Sequence, residues 1–203
     1  MTEIQDSVAN DPRWNTFITT GLDCSCGERH VGLFPIHLHH PVGWQGPEGY
    51  EQDSALRMDG DFLSANFCVL QGKFFAMRMR LPFQIRGTEP AAFMFTAWAS
   101  MDRSDFEQFV TAYRTGKLTQ DVRVPARLVN RVGGFPDSYN LMGSAFQQAD
   151  GAPPVLLIHG LQAPPNADHM LLHDQRYGIG IERMLELFEA YGHNMTGGVT
   201  PAN

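Results

Sequence analysis

The stretch FFAMRMRLPF, Phe74 to Phe83, constrains the fold more than any other part of the chain. Phe75, Met77, Met79 and Leu81 alternate with Ala76, Arg78 and Arg80. A period of two sends the apolar groups to one face of a strand and the arginines to the other. Upstream, SANFCVLQGKFF places Gln71-Gly72 between two apolar runs, which reads as a hairpin turn. Downstream, AAFMFTAWAS has no polar face and reads as a central strand covered on both sides.

Helical spacing follows. In SDFEQFVTAYRTG, Phe106, Phe109, Val110 and Tyr113 form an apolar stripe. Ser104 and Glu107 have the spacing of a capping box, and Gly116 stands where a left-handed terminal residue belongs. Two more strands are expected near Leu141–Gln148 and Val155–His159. GIERMLELFEAYG turns Ile181, Met184, Leu185 and Phe188 one way and Glu182, Arg183, Glu186 and Glu189 towards water, with Gly192 as its stop. The expected fold is α+β, a largely antiparallel sheet with two main helices packed on it and an N-terminal Cys/His turn. One domain is expected over residues 12–193, between loose tails at 1–11 and 194–203.

A formal charge of −7 argues against a nucleic-acid partner, because phosphate binding draws on clustered Lys and Arg. No apolar run reaches the roughly 18 residues of a membrane-spanning helix. The opening MTEIQDSVANDPRW lacks the basic and apolar regions of a signal peptide. A cytoplasmic protein with reduced thiols is the expectation, and its three cysteines do not suggest a disulfide framework.

Chemistry concentrates in LDCSCGERHVGLFPIHLHHP, Leu22 to Pro41. Cys24 and Cys26 on a tight turn offer two thiolates. Gly27 permits a backbone that aims amides at sulfur, and His30 can close towards the same ion. Cys68 is the remaining cysteine and the candidate fourth ligand. Two other readings compete: a pair of small buried cysteines in a turn, and a redox pair that exchanges a strained disulfide. In HLHH, a strand would put His37 and His39 on one face and His40 on the other. The metalloenzyme patterns that use such a pair also require a nearby carboxylate. Glu48 is too far, behind Pro41, Gly43, Gly46 and Pro47, so a polar loop is the simpler reading. His169 and His173 would share a helix face, with Asp168 and Asp174 beside them. That stretch lacks the glutamate of a zinc-protease helix and follows Pro164-Pro165, so it reads as a turn. Nucleophile-elbow, phosphate-loop and dinucleotide fingerprints are absent from the sequence.

The blocks CSCGERHVGLF, NFCVLQGKFFAMRMRLPF, TAWASMDRSDFEQF, RLVNRVGGFPDSYNL and DHMLLHDQRYGIGIERM, in that order, resemble the bacterial domain-of-unknown-function family 2199 over about Leu22 to Leu187. The match is weaker at HLHH, where the family is more apolar. The resemblance implies a small cytoplasmic bacterial protein. It also implies that Cys24, Cys26, His30 and Cys68 all fall at positions the family pattern includes. The leading expectation is therefore a non-enzymatic domain whose turn binds a structural zinc ion through those four residues. The alternatives are a metal-dependent enzyme built on His37, His39 and His40, with His169 or His173, and an acidic module that recognises a basic protein partner.

Overall fold

The structure is a computed structural model and describes residues 7–117, 123–148, 152–159 and 169–196. In chain order the described elements are α1 (Pro12–Thr19), β1 (Leu22–Cys24), β2 (Arg29–His30), β3 (Ile36–His37), β4 (Phe62–Leu63), β5 (Phe67–Leu70), β6 (Phe74–Gln84) and β7 (Ala92–Met101). They continue with α2 (Arg103–Thr115), β8 (Arg123–Leu128), β9 (Met142–Phe146), β10 (Val155–Ile158), α3 (Met170–Tyr177), α4 (Ile181–Glu189) and β11 (Met195–Thr196).

The alternating stretch forms β6, paired antiparallel with β7 from Phe75↔Met101 to Gln84↔Ala92. Gln71 and Gly72 both take positive φ, 53° and 62°, so the expected turn joins β5 to β6. That backbone geometry matches the twist of the strands it connects. Odd-numbered residues of β6 and β7 point inward, among them Met79, Leu81, Phe83, Phe93, Phe95 and Ala97, and all six are fully buried. On the outer face, Trp98 packs with Leu63, Cys68, Ala76 and Val129 in a separate small core. β7 is thus covered on both sides at Ala97–Ala99, whereas Met94, Thr96 and Ser100 on its outer face are only half-buried.

The α+β class holds, and most strand pairs are antiparallel. The sheet, however, is not open. β6, β7, β8, β9 and β10 form a closed five-strand barrel, because β10 returns to pair with β6. Strands in an odd ring cannot alternate direction at every seam, so one seam must be parallel, and it lies between β10 and β6. Its pairing is brief, Val155↔Arg80, with the Arg80 amide 2.7 Å from the Pro154 carbonyl. Beyond that point a side chain continues the ladder. The Gln175 amide on α3 accepts from the Ile158 N–H at 2.7 Å and donates to the carbonyls of Leu156, at 3.0 Å, and Pro82, at 3.3 Å.

β5 and β4 extend the barrel outside β6, and β3 runs parallel to β7 through Ile36↔Phe95 and His37↔Thr96. Between β3 and β8 on the β7 edge, Asn130 fills the gap. Its Oδ1 accepts from the Trp98 amide at 2.6 Å and its Nδ2 donates to the His40 carbonyl at 2.9 Å.

Four helices, not two, are present among the described residues. α2 and α4 occupy the expected stretches. α2 begins one residue before Ser104, and Asp102 rather than Ser104 is its N-cap; Glu107 pairs with Arg103 at 2.8 Å instead of closing a capping box. Within α4, Leu187 is buried while Leu185 is only partly so, and Arg183 bonds Asp174 on α3 at 2.8 Å rather than facing water. α1 lies where no element was expected. Asp11 caps it by accepting from the Arg13 N–H at 2.8 Å, and Pro12 occupies its first turn. The stretch around His169–Gln175, read as a turn, is helical because the His169 ring caps α3. Parts of both expected tails are also packed. Val8 is buried in a turn of 3-10 helix with its amide on the Arg86 carbonyl, and β11 pairs with β1.

Replacing Gln175 with Met keeps the volume and removes the amide that bridges the parallel seam. Two carbonyls and one N–H then lose their partner, and a loss of about 1–3 kcal/mol is expected. A lower urea midpoint with an unchanged slope is the measurement that checks it.

Candidate metal centre

β1, β2 and β11 form a three-stranded antiparallel sheet in the order β11-β1-β2, apart from the barrel. The turn between β1 and β2 is Ser25-Cys26-Gly27-Glu28. Gly27 takes φ 89°, and its amide reaches the Cys24 carbonyl at 3.0 Å. The Cys26 amide lies 3.5 Å from the Cys24 Sγ. This matches the expected role of the glycine, which lets the chain turn tightly enough to point an amide at a sulfur.

The segment after α4 closes onto this turn. After α4, the His193 amide donates to the Phe188 carbonyl at 3.0 Å, so the chain reverses at Gly192. Ser25 then pins the returning segment. Its amide donates to the Asn194 carbonyl at 2.9 Å, and its Oγ accepts from the Asn194 amide at 3.1 Å. β1 and β11 pair through Asp23↔Thr196 and Cys24↔Met195.

Four ligand atoms converge here, one each from Cys24, Cys26, His30 and His193, all within 4.8 Å of one another. Cys26 Sγ is 3.2 Å from His30 Nε2, and Cys24 Sγ is 3.7 Å from His193 Nδ1. A tetrahedron with zinc–sulfur and zinc–nitrogen bonds of ordinary length has edges of about 3.3–3.8 Å. Both imidazoles are held by packing. His30 stacks on Phe34 at 4.5 Å between ring centres, and His193 stands edge-on to His30 and to Phe34. Phe34 rests on Phe188, which packs edge-on against Phe93 of the barrel.

The Glu28 amide stabilises the Cys26 thiolate. The adjacent Cys24 sulfur, desolvation and the Glu28 carboxylate together outweigh it and hold the Cys26 thiol above its ordinary value. Two neighbouring sulfurs resist double ionisation, and a bound divalent ion removes that resistance.

Three of the four residues expected to form the site, Cys24, Cys26 and His30, are brought together. Cys68 is not with them. It lies fully buried on β5 opposite Ala76, packed with Leu63 and Trp98 on the outer face of the barrel. The fourth group is His193, which is 169 residues from Cys24 in sequence. Its local sequence, a lone His after a helix-stopping glycine, carries no metal signal. The need of three clustered ligands for a fourth does not single it out, and Cys68 was the expected fourth ligand.

Among the described residues, no other group of three His, Cys, Asp or Glu side chains has this convergence. His37 sits on the outer face of the barrel with its Nδ1 2.7 Å from Thr96 Oγ1. Desolvation and the charges of Arg78 and His39 lower its pKa. His39 and His40 line a cavity of about 530 Å³ with Trp44 and Tyr50. His169 accepts from the Leu171 amide through Nδ1, which leaves Nε2 to donate to the Pro136 carbonyl at 2.9 Å. His173 faces Asp174 at 3.4 Å. Asp168 and Pro164-Pro165 lie outside the described residues.

A family model described as "Uncharacterized protein conserved in bacteria (DUF2199)" matches residues 23–179, well over half of the chain. The chain belongs to this family. No curated protein and no solved structure matches it. The DUF2199 match takes in Cys24, Cys26, His30 and Cys68, whereas His193 lies beyond its end. No helix among the described residues is long and apolar enough to cross a membrane.

Burial, reinforced by the charge of Asp61, pushes the Cys68 thiol up to about 12. In the native protein at pH 8, a thiol reagent is therefore expected to leave Cys68 unmodified. The linkage has a definite sign. The unfolded thiol ionises near pH 8.5–9 and the folded one only near 12. Between those values the unfolded state loses its proton first, so Cys68 lowers stability as pH rises. A Cys68→Ala variant should lose less stability than the parent between about pH 9 and 11, as urea midpoints would show.

Proposed function

We propose that Cys24, Cys26, His30 and His193 hold one zinc ion with a structural role. The observation that carries the reading is the convergence of four ligand atoms within 4.8 Å from two distant parts of the chain. Two thiolates and two imidazoles suit zinc, which takes mixed sulfur and nitrogen donors in a tetrahedron. Four protein ligands leave no position for water or substrate, so the ion clamps the β1–β2 turn to the segment after α4 and performs no chemistry. The strands it ties together are two or three residues long, too short to hold one another by backbone pairing alone. The thiols must stay reduced for this role, which fits a cytoplasmic protein.

Elemental analysis of protein purified without a metal-affinity step tests the reading. Close to one zinc per chain is expected, with His193→Ala and Cys24→Ser each falling below about a tenth of an equivalent. The Cys68→Ala variant should keep the full amount. If zinc is present at about a thousand times its dissociation constant, its removal costs about 4 kcal/mol, or about 8–16 °C in Tm for a chain of this size. A parent protein with less than a tenth of an equivalent and a Tm indifferent to chelator overturns the proposal.

A further inference from the structure

We infer that the Cys24/Cys26 pair is a hydroperoxide-sensitive release for this ion, so that oxidation frees both the metal and the segment around His193. The inference rests on the zinc reading above. Three features of the turn support it. Cys26 is exposed and Cys24 half-buried, so an oxidant in solution meets the Cys26 sulfur first. The turn already folds the two sulfurs to one side, with the Cys26 amide 3.5 Å from Cys24 Sγ and both sulfurs inside the 4.8 Å cluster. Cα atoms two residues apart are at most about 7 Å from each other, at the edge of the range a disulfide spans. Cys68, the only other cysteine, is fully buried away from the cluster and does not compete.

Zinc has no redox chemistry, so the electrons come from sulfur. The Cys26 sulfur attacks one peroxide oxygen. An S–O bond forms, the O–O bond breaks, and the departing hydroxide takes a proton to become water. The Cys24 sulfur then attacks the resulting sulfenic sulfur. An S–S bond forms, the S–O bond breaks, and a second hydroxide takes a proton. In sum, two thiolates, one hydrogen peroxide and two protons give one disulfide and two waters. The sulfurs lose two electrons and the peroxide gains them.

Two imidazoles remain, and a pair of neutral ligands does not retain the ion. Without it, the His193 ring is held by packing, its amide by the Phe188 carbonyl, and β11 by the short Asp23↔Thr196 and Cys24↔Met195 pairing, by Ser25, by the Asn194–Glu189 hydrogen bond and by the buried Met195 side chain. The segment from Gly192 to Thr196 therefore loosens.

The zinc-loaded full chain is titrated with hydrogen peroxide in the presence of a chromogenic zinc chelator too weak to strip the reduced protein. One zinc per chain should appear as the intact mass falls by two hydrogens. Alkylation after denaturation should drop from three thiols to one, with the remaining label on Cys68. Amide exchange should quicken over residues 192–196, and dithiothreitol with added zinc should reverse every change. The Cys68→Ala variant should respond like the parent. Zinc that stays bound under peroxide overturns the inference while leaving the zinc reading intact. So does zinc lost with sulfinic acid and no bridge, or a bridge that includes Cys68. A chain that never holds zinc overturns the zinc reading itself.

Discussion

A five-strand ring cannot close without one parallel seam, and in this fold that seam is the weak place on which the barrel depends. β10 and β6 share a single paired position before they diverge. Gln175 supplies from a helix the hydrogen bonds that a longer ladder would have supplied from a strand. α3 is therefore part of the barrel wall, and the caps that position α3 serve closure as well as helix formation. The His169 ring bonds the Leu171 amide and the Pro136 carbonyl, tying the start of α3 to the loop after β8. Asn130 performs the matching task on the opposite side of β7, where the strand edge passes from β8 to β3. In both places a side-chain amide, with its paired donor and acceptor, imitates a peptide group.

The Cys/His cluster draws its geometry from this barrel. Its own strands are short, and the turn that carries both cysteines is at the surface. What fixes the imidazoles is a relay of aromatic rings, from Phe93 in the barrel to Phe188 on α4, then to Phe34 and His30. Phe17 on α1 packs edge-on against Phe188 and joins the same relay. Aromatic pairs favour particular mutual orientations, which suits a site where two donor atoms must keep their aim.

Much of this was legible in the chain, and the boundary is physical. β6, β7, α2 and α4 announce themselves through local periodicity, which needs no knowledge of partners. The Cys24-x-Cys26-Gly27 turn is legible for the same reason, because its chemistry lies within a few residues. Barrel closure is not, because it depends on β10 meeting β6 across 75 positions of sequence, Val155 to Arg80. Cys68 and His193 show the same limit from two sides. Cys68 sits in the all-apolar strand Phe67–Leu70, and such a run does not say which other elements cover its face. His193 follows a helix stop and has no motif around it. α1 did carry a local signal in Asp11-Pro12, yet its Thr, Asn, Ile and Trp residues are poor helix formers, and tertiary packing of Trp14 and Phe17 decides the outcome.

The position of His193 has a consequence for how the chain is made. Cys24, Cys26 and His30 leave the ribosome before any barrel strand, and His193 leaves after all of them. During synthesis Cys24, Cys26 and His30 form an incomplete set of donors. The full set exists only once the barrel and α4 have been produced. The four-donor arrangement is thus a late product of biosynthesis, complete only once synthesis has passed His193.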